Sequence, residues 1–286
     1  MKTLFDKIWE QHQIKTLDTG EDLIAIDRVF LHERTGSVAL KSMLEAGRKP
    51  LRPEHVFCTM DHIVSIQSER GADDSRMPDG KNFITATRDA SKDAGINLID
   101  VLSPEQGIVH VISPELGIVQ PGMTLVCPDS HTCSQGALGA AAWGIGSTDA
   151  EHAMITGTMR VKKPGQMRIT VEGVFQTGVT AKDLALYIIG KFGTAGGKRM
   201  AIEYAGSTIR NMSIEARLTL CNLAVEFAAF TAVIAPDDKT YRFLKSRKYA
   251  PSNWDAAVAN WQKLKSDDDA TFDIEYQINA SDVPPM

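Results

Sequence analysis

The sequence predicts an α/β protein with largely parallel sheets. Apolar runs of strand length alternate with segments of helical periodicity, helices close on Gly47 and Gly95, and polar clusters stand where apolar strands end. The third observation also bears on function, because α/β proteins gather their chemistry at strand ends.

The elements follow in order. Residues 4–12 form a helix with Leu4, Phe5, Ile8 and Trp9 on one face. A strand over 23–26 and a helix over 38–46 come next, then a buried strand over 56–60 that ends at Asp61-His62. The spacing predicts a helix over 83–94, a strand over 97–101, and a second strand over 108–112 with His110 inside it. A strand over 124–127 runs into Asp129-Ser130-His131. Thr148 and Glu151 have capping-box spacing and open a helix to about residue 158. A strand over 166–171 precedes a helix from Thr180-x-x-Asp183 to residue 192, a glycine-rich turn and a strand over 200–204. A long buried helix over 213–230, a strand over 232–234, two charged helices and a strand over 272–278 complete the pattern. The VKKPG stretch, 161–165, marks a seam between two lobes, 1–162 and 163–286, and the closing ASDVPPM reads as the entrance to a linker.

Composition narrows the function classes. With 43% hydrophobic residues the chain buries a sizeable core, and a net charge of −5 without a basic block argues against nucleic acid. Charges at Asp6, Lys7 and Glu10 break any signal-peptide pattern, and Glu226 interrupts the longest apolar run, so a cytoplasmic protein without a membrane partner is expected. The four cysteines form no C-x-x-C pair and read as small buried hydrophobes.

Asp61-His62, Asp129-Ser130-His131 and His110 are candidate proton-transfer groups. Asn222 and Glu226, four apart on an apolar helix, share a face; a carboxylate there is costly unless it is paired or faces a polar cavity. Competing chemistries lack parts. No G-x-S-x-G nucleophile elbow occurs, Cys127-x-x-x-His131-x-Cys133 lacks a fourth zinc ligand, and the glycine-rich turns at 144–149 and 192–199 are incomplete as nucleotide loops. Histidines and carboxylates without an activated nucleophile suit proton transfer to a small polar substrate.

The motifs CTMDHIVSIQ, GIVHVISPELGIVQPGMTLVCPDSHT, GALGAAAWGIGSTDAEH, GVTAKDLALYIIGKFGTAGG and NMSIEARLTLCNLAVEF resemble those of isopropylmalate dehydratase large subunits, in the aconitase superfamily. The resemblance implies an aconitase-like three-layer α/β/α fold with two similar lobes. It implies a hydro-lyase that moves water between adjacent carbons of a small dicarboxylic hydroxy acid, in leucine biosynthesis. Homoaconitases and maleate- or citraconate-type hydratases share the motifs. Carried over by position, the family's pairs fall on Asp61 with His62, His110 with Asp129, and His131 with Glu226. Ser130 then resembles a substrate contact, Asn222 a polar neighbour of the cofactor, and Asp61–His62 the acid that protonates the departing hydroxyl.

The family also implies a four-iron four-sulfur cluster, held by cysteines in a G-S-C-T-N motif and a C-x-x-C that this chain does not contain, so no metal ligand is assigned here. The implied partners are a cluster-bearing domain or chain and a small subunit carrying the catalytic serine base and the substrate-binding arginines. Ala228 and Phe230 stand where the family usually has glycine and a basic residue. Two other readings are a non-catalytic remnant that binds a partner subunit, and a cluster-free isomerase using the same pairs.

Overall fold

A computed structural model describes Met1–Met286. The strands are β1 (Gln13–Thr16), β2 (Asp22–Ala25), β3 (Arg28–His32), β4 (Val56–Thr59), β5 (Asn97–Ile99), β6 (Thr124–Cys127), β7 (Ala141–Gly144), β8 (Thr158–Val161), β9 (Gln166–Glu172), β10 (Ala201–Ala205), β11 (Thr231–Val233) and β12 (Ile274–Asn279). The helices are α1 (Leu4–His12), α2 (Glu33–Glu45), α3 (Gly80–Ala94), α4 (Val109–Leu116), α5 (Ser147–Thr156), α6 (Ala181–Phe192), α7 (Ser207–Asn211), α8 (Ile214–Asn222), α9 (Asp238–Leu244) and α10 (Trp254–Trp261).

Two parallel sheets organise the chain. The first has the order β5-β4-β3-β6-β7 and the second β11-β10-β9-β12, each parallel throughout. A small antiparallel sheet, β1-β2-β8, flanks them. In the first sheet β4 and β6 are apolar and buried at every position because both faces are covered, whereas β9 and β12 of the second sheet alternate. In the first sheet the chain order reverses between β3 and β6, which makes a crevice at their carboxyl ends.

The parallel sheets draw their strands from either side of Val161–Gln166, but their cores interlock. Tyr241, Leu244, Trp261 and Leu264, all late in the chain, pack into the core that also holds Leu4, Trp9 and Leu125. The sheets approach closely at Gly136, where a Cβ would stand 1.7 Å from the carbonyl oxygen of Ala232 in β11. Ile234 donates its N–H to Gly136, and Thr231 Oγ1 donates to Ala142 of β7. No helix is long and apolar enough to cross a membrane.

Three local expectations are corrected. Residues 108–112 open α4 rather than forming a strand, so His110 lies in the first turn of a helix. The β-branched run favours a strand, but the Asp61 carboxylate accepts the N–H of Val109 at 2.8 Å and satisfies a helix-start donor. Helix α5 starts from Gly146 without a side-chain cap; Glu151 instead faces Arg48 at 3.8 Å, so the expected capping box does not form. The long helix over 213–230 ends at Asn222. A 3₁₀ turn, Val225–Phe227, follows, because the Phe227 and Ala228 carbonyls accept N–H groups from Gly197 and Arg199 across the glycine-rich turn. Asn222 and Glu226 therefore share no helix face, and Glu226 is exposed rather than buried.

Ala228 occupies the left-handed region at φ +61°. A Cβ there is strained and glycine is not. Ala228→Gly should stabilise the chain by about 1 kcal/mol, seen as a raised urea midpoint with an unchanged slope. A lowered midpoint would mean that the Ala228 methyl packs better than its backbone suffers.

Candidate active site

Three adjacent parallel strands deliver polar groups to the crevice. β3 ends in His32, followed by Glu33; β4 leads through Met60 to Asp61-His62; β6 leads through Pro128 to Asp129. Glu33 is fully buried, and its carboxylate accepts the N–H groups of Asp61 at 2.9 Å, His62 at 2.7 Å and Ile63 at 2.5 Å. This fixes the turn carrying the Asp61–His62 pair.

Asp61 Oδ1 meets His62 Nδ1 at 2.6 Å while its Oδ2 takes the Val109 N–H, so Asp61 orients one imidazole and anchors one helix. Asp129 stands between two rings: its Oδ2 lies 3.2 Å from His62 Nε2 and its Oδ1 lies 3.1 Å from His110 Nε2. The His110 contact is close but too poorly aligned to satisfy its buried Nε2 as a hydrogen bond. The N–H of His131 donates to Asp129 Oδ1 at 2.7 Å, and Gln135, also buried, lies 3.3 Å from His110 Nδ1.

The electrostatics follow from this sharing. Contacts with Asp129 first, and with Asp61 second, raise the His62 pKa to about 10. Burial opposes ionisation of Asp129, but His110 and His62 outweigh it and hold the carboxyl far below the usual range. His62 is thus an imidazolium at neutral pH, held by a carboxylate at each nitrogen.

The second sheet brings Glu226 to this wall. Glu226 Oε1 meets His131 Nε2 at 3.2 Å, and Ser130 Oγ lies 3.4 Å from His131 Nδ1. This edge is open: the side chains of His131 and Glu226 are 36% and 57% exposed, so their pairing aims the groups and adds little stability. Asn222 is tied in one step away, donating to Ser134 Oγ at 2.9 Å; Ser134 in turn donates to the His131 carbonyl at 2.6 Å. A cavity of about 610 Å³ opens beside Asp129 and Ser130, with Arg160, Arg199, Trp143 and Phe230 in its walls; His62, His131 and Glu226 lie outside it.

All eight residues singled out in the sequence are accounted for. Asp61, His62, His110 and Asp129 form one network, His131 joins through its backbone, Glu226 through His131, and Ser130 and Asn222 lie at its edge. Sequence reasoning missed His32, Glu33 and Gln135. The His32 and Glu33 signal was present, since the apolar run Val29-Phe30-Leu31 ends in His-Glu as the β4 run ends in Asp-His.

Ligand atoms of His32, Glu33, Asp61 and His62 lie within 4.8 Å of one another. Within the chain Glu33 already accepts three backbone N–H groups, and both His62 nitrogens face carboxylates, so these atoms have partners of their own.

The sequence description of the aconitase family (aconitate hydratase) matches residues 6–286. The chain belongs to the aconitase family. It is 43% identical over 288 residues to the 3-isopropylmalate dehydratase large subunit of Bacteroides thetaiotaomicron, and 42% identical over 286 residues to that of Phocaeicola vulgatus. These alignments take in 100% and 99% of this chain, which spans 62% of the length of each relative. Among solved structures, Thermococcus kodakaraensis aconitase X (holo-form) matches with a TM-score of 0.47 and 12% identity, over 91% of this chain and 58% of that one.

Membership of the aconitase family implies a four-iron four-sulfur cluster, but the cysteines present do not fit one. Cys58 lies in β4, Cys127 in β6, Cys133 in the 3₁₀ segment Ser130–Leu138 and Cys221 in α8, all buried. Burial pushes the Cys133 thiol up to about 12 and the other three well above their ordinary value, whereas cluster ligands are thiolates. After anaerobic reconstitution with iron and sulfide, this chain alone should hold no stoichiometric cluster. Four irons per chain that survive desalting would show that the fold rearranges around its cysteines.

Proposed function

We propose that this chain supplies the acid–base wall of a hydro-lyase of the 3-isopropylmalate dehydratase type, interconverting 2- and 3-isopropylmalate by loss and return of water in leucine biosynthesis. The observation that carries the reading is His62, protonated at neutral pH and clamped between Asp61 and Asp129, in a chain whose whole length aligns with 62% of large subunits of that name.

The chemistry of dehydration explains why such a group is needed. Hydroxide is a poor leaving group and must take a proton as its bond to carbon breaks. Water, its conjugate acid, has a pKa of about 15.7. Transfer from an imidazolium near 10 is therefore downhill. The Nε2 proton is the available one, because its contact with Asp129 is longer than the 2.6 Å Nδ1 bond to Asp61. In the reverse direction the neutral ring takes a proton from the incoming water. We assign His110 to holding Asp129 in place, and His131, Glu226 and Ser130 to orienting the substrate at the open edge. The cofactor-bearing portion and the base at the adjacent carbon are assigned to partners, the latter to a small subunit. No step here passes through the cluster, because this chain's cysteines do not fit it.

The test is reconstitution. The chain is co-expressed with the cluster-bearing remainder of the B. thetaiotaomicron large subunit and with its small subunit, and hydration of small unsaturated dicarboxylic acids is assayed. Activity above that of the two added pieces, abolished by Glu226→Gln, is the expected result. Assembly of all three pieces without turnover would sink the hydro-lyase reading; turnover of a different diacid would correct its substrate.

A further inference from the structure

One buried histidine beside this wall has no part in the proton transfer. His32, 2% exposed, lies at the carboxyl end of β3 with its ring stacked on that of His62: the centroids are 3.7 Å apart and the planes 14° from parallel. Its Nε2 faces the Pro128 carbonyl at 3.0 Å and Thr35 Oγ1 at 3.0 Å. A carbonyl only accepts, so Nε2 carries the hydrogen, and the buried Nδ1 has no partner. Burial, and then the neighbouring His62 charge, lower the His32 pKa, so this ring is neutral while the ring above it is cationic.

We propose that His32 is a positioning residue: its neutral ring is the flat seat of the His62 imidazolium, and the stack fixes the plane in which both His62 nitrogens reach carboxylates. A cation lying face-on to a neutral π-system is attracted to it. A second cation there would repel it, so the neutrality that burial gives His32 matters as much as the ring. The geometry needs such a seat, because the His62 side chain is 30% exposed and its two carboxylates grip the edge of the ring rather than its face. Every charged group facing His62 acts from another direction. Asp61 lies in its own turn and Asp129 follows β6. His110 on α4 lies beyond Asp129, Glu33 holds the backbone N–H, and Arg76 reaches the His62 carbonyl at 3.3 Å.

The inference rests on the hydro-lyase reading only in making His62 the acid, so the test uses ring titration in this chain and not turnover. Uniformly ¹⁵N-histidine-labelled chain, with His62 assigned through His62→Gln, is titrated by NMR. His32→Phe keeps a flat ring and loses the bond to Pro128; His32→Gln keeps a donor for Pro128 and loses the ring. The expected result is a His62 midpoint lowered by roughly 0.5–1.5 units in His32→Gln. In His32→Phe it should lie within a few tenths of wild type, with amide spectra unchanged in both. An unchanged midpoint in His32→Gln overturns the proposal, and so does a fall in His32→Phe as large as in His32→Gln. If His32→Gln does not fold, His32→Asn, which also keeps a donor and loses the ring, takes its place under the same criterion; if His32→Phe does not fold, an unchanged midpoint in His32→Gln still overturns the proposal. Reconstituted enzyme without turnover would leave this result untouched.

Discussion

His62→Ala lowers turnover of the reconstituted hydro-lyase by roughly 10²- to 10⁴-fold, the range for loss of a general acid. The size follows from how much of the site serves this one ring. Asp61 holds Nδ1, Asp129 faces Nε2, and a buried Glu33 fixes the turn beneath. The loss should fall on kcat more than on KM, because the proton is needed as the hydroxyl departs and not when substrate binds. Wild-type turnover should decline as pH rises towards about 10, where the folded-state imidazolium is lost. In His62→Ala that decline should disappear. A loss of tenfold or less, with the alkaline limb intact, would reduce His62 to a substrate contact and move the acid elsewhere.

Glu33→Ala costs about 3–5 kcal/mol of stability. Its carboxylate accepts three backbone N–H groups from consecutive residues. Without it, three donors in a buried turn lose their acceptor, each worth about 1–3 kcal/mol before relaxation and entering water reduce the sum. Glu33→Gln keeps an acceptor on one side and turns a donor towards a donor on the other, so it should lose roughly half as much. Urea unfolding at constant slope measures both. A loss under about 1 kcal/mol in Glu33→Ala would mean that water fills the nest without cost.

The sequence made the alternating architecture legible, and with it the positions of Asp61-His62 and Asp129-Ser130-His131, because an apolar strand that ends in polar residues is a local pattern. It misled where distant groups decide. The run Ile108-Val109-His110-Val111-Ile112 has the composition of a strand, and a carboxylate 48 residues earlier helps make it a helix start. The stretch over 213–230 has the composition of one buried helix, but acceptors needed by Gly197 and Arg199 break it after Asn222. His32 and Glu33 close an apolar run as Asp61-His62 does, but what they do depends on partners, His62 and the turn at 61–63, that are met only in three dimensions.

The Gly136–Ala232 approach has a consequence for how such a site diverges. The acid is assembled within one sheet, from β3, β4, β6 and α4, whereas Glu226 arrives from the other and meets His131 across 95 residues of chain. A side chain at position 136 would push on the Ala232 backbone and wedge the second sheet, with Glu226 just before β11, away from the first. On the proposed function, acid strength and substrate fit are thus separately heritable traits. Drift in the docking of the two sheets can change which molecule is gripped without altering the proton donor, and mutations near β4 can retune the donor without moving the grip.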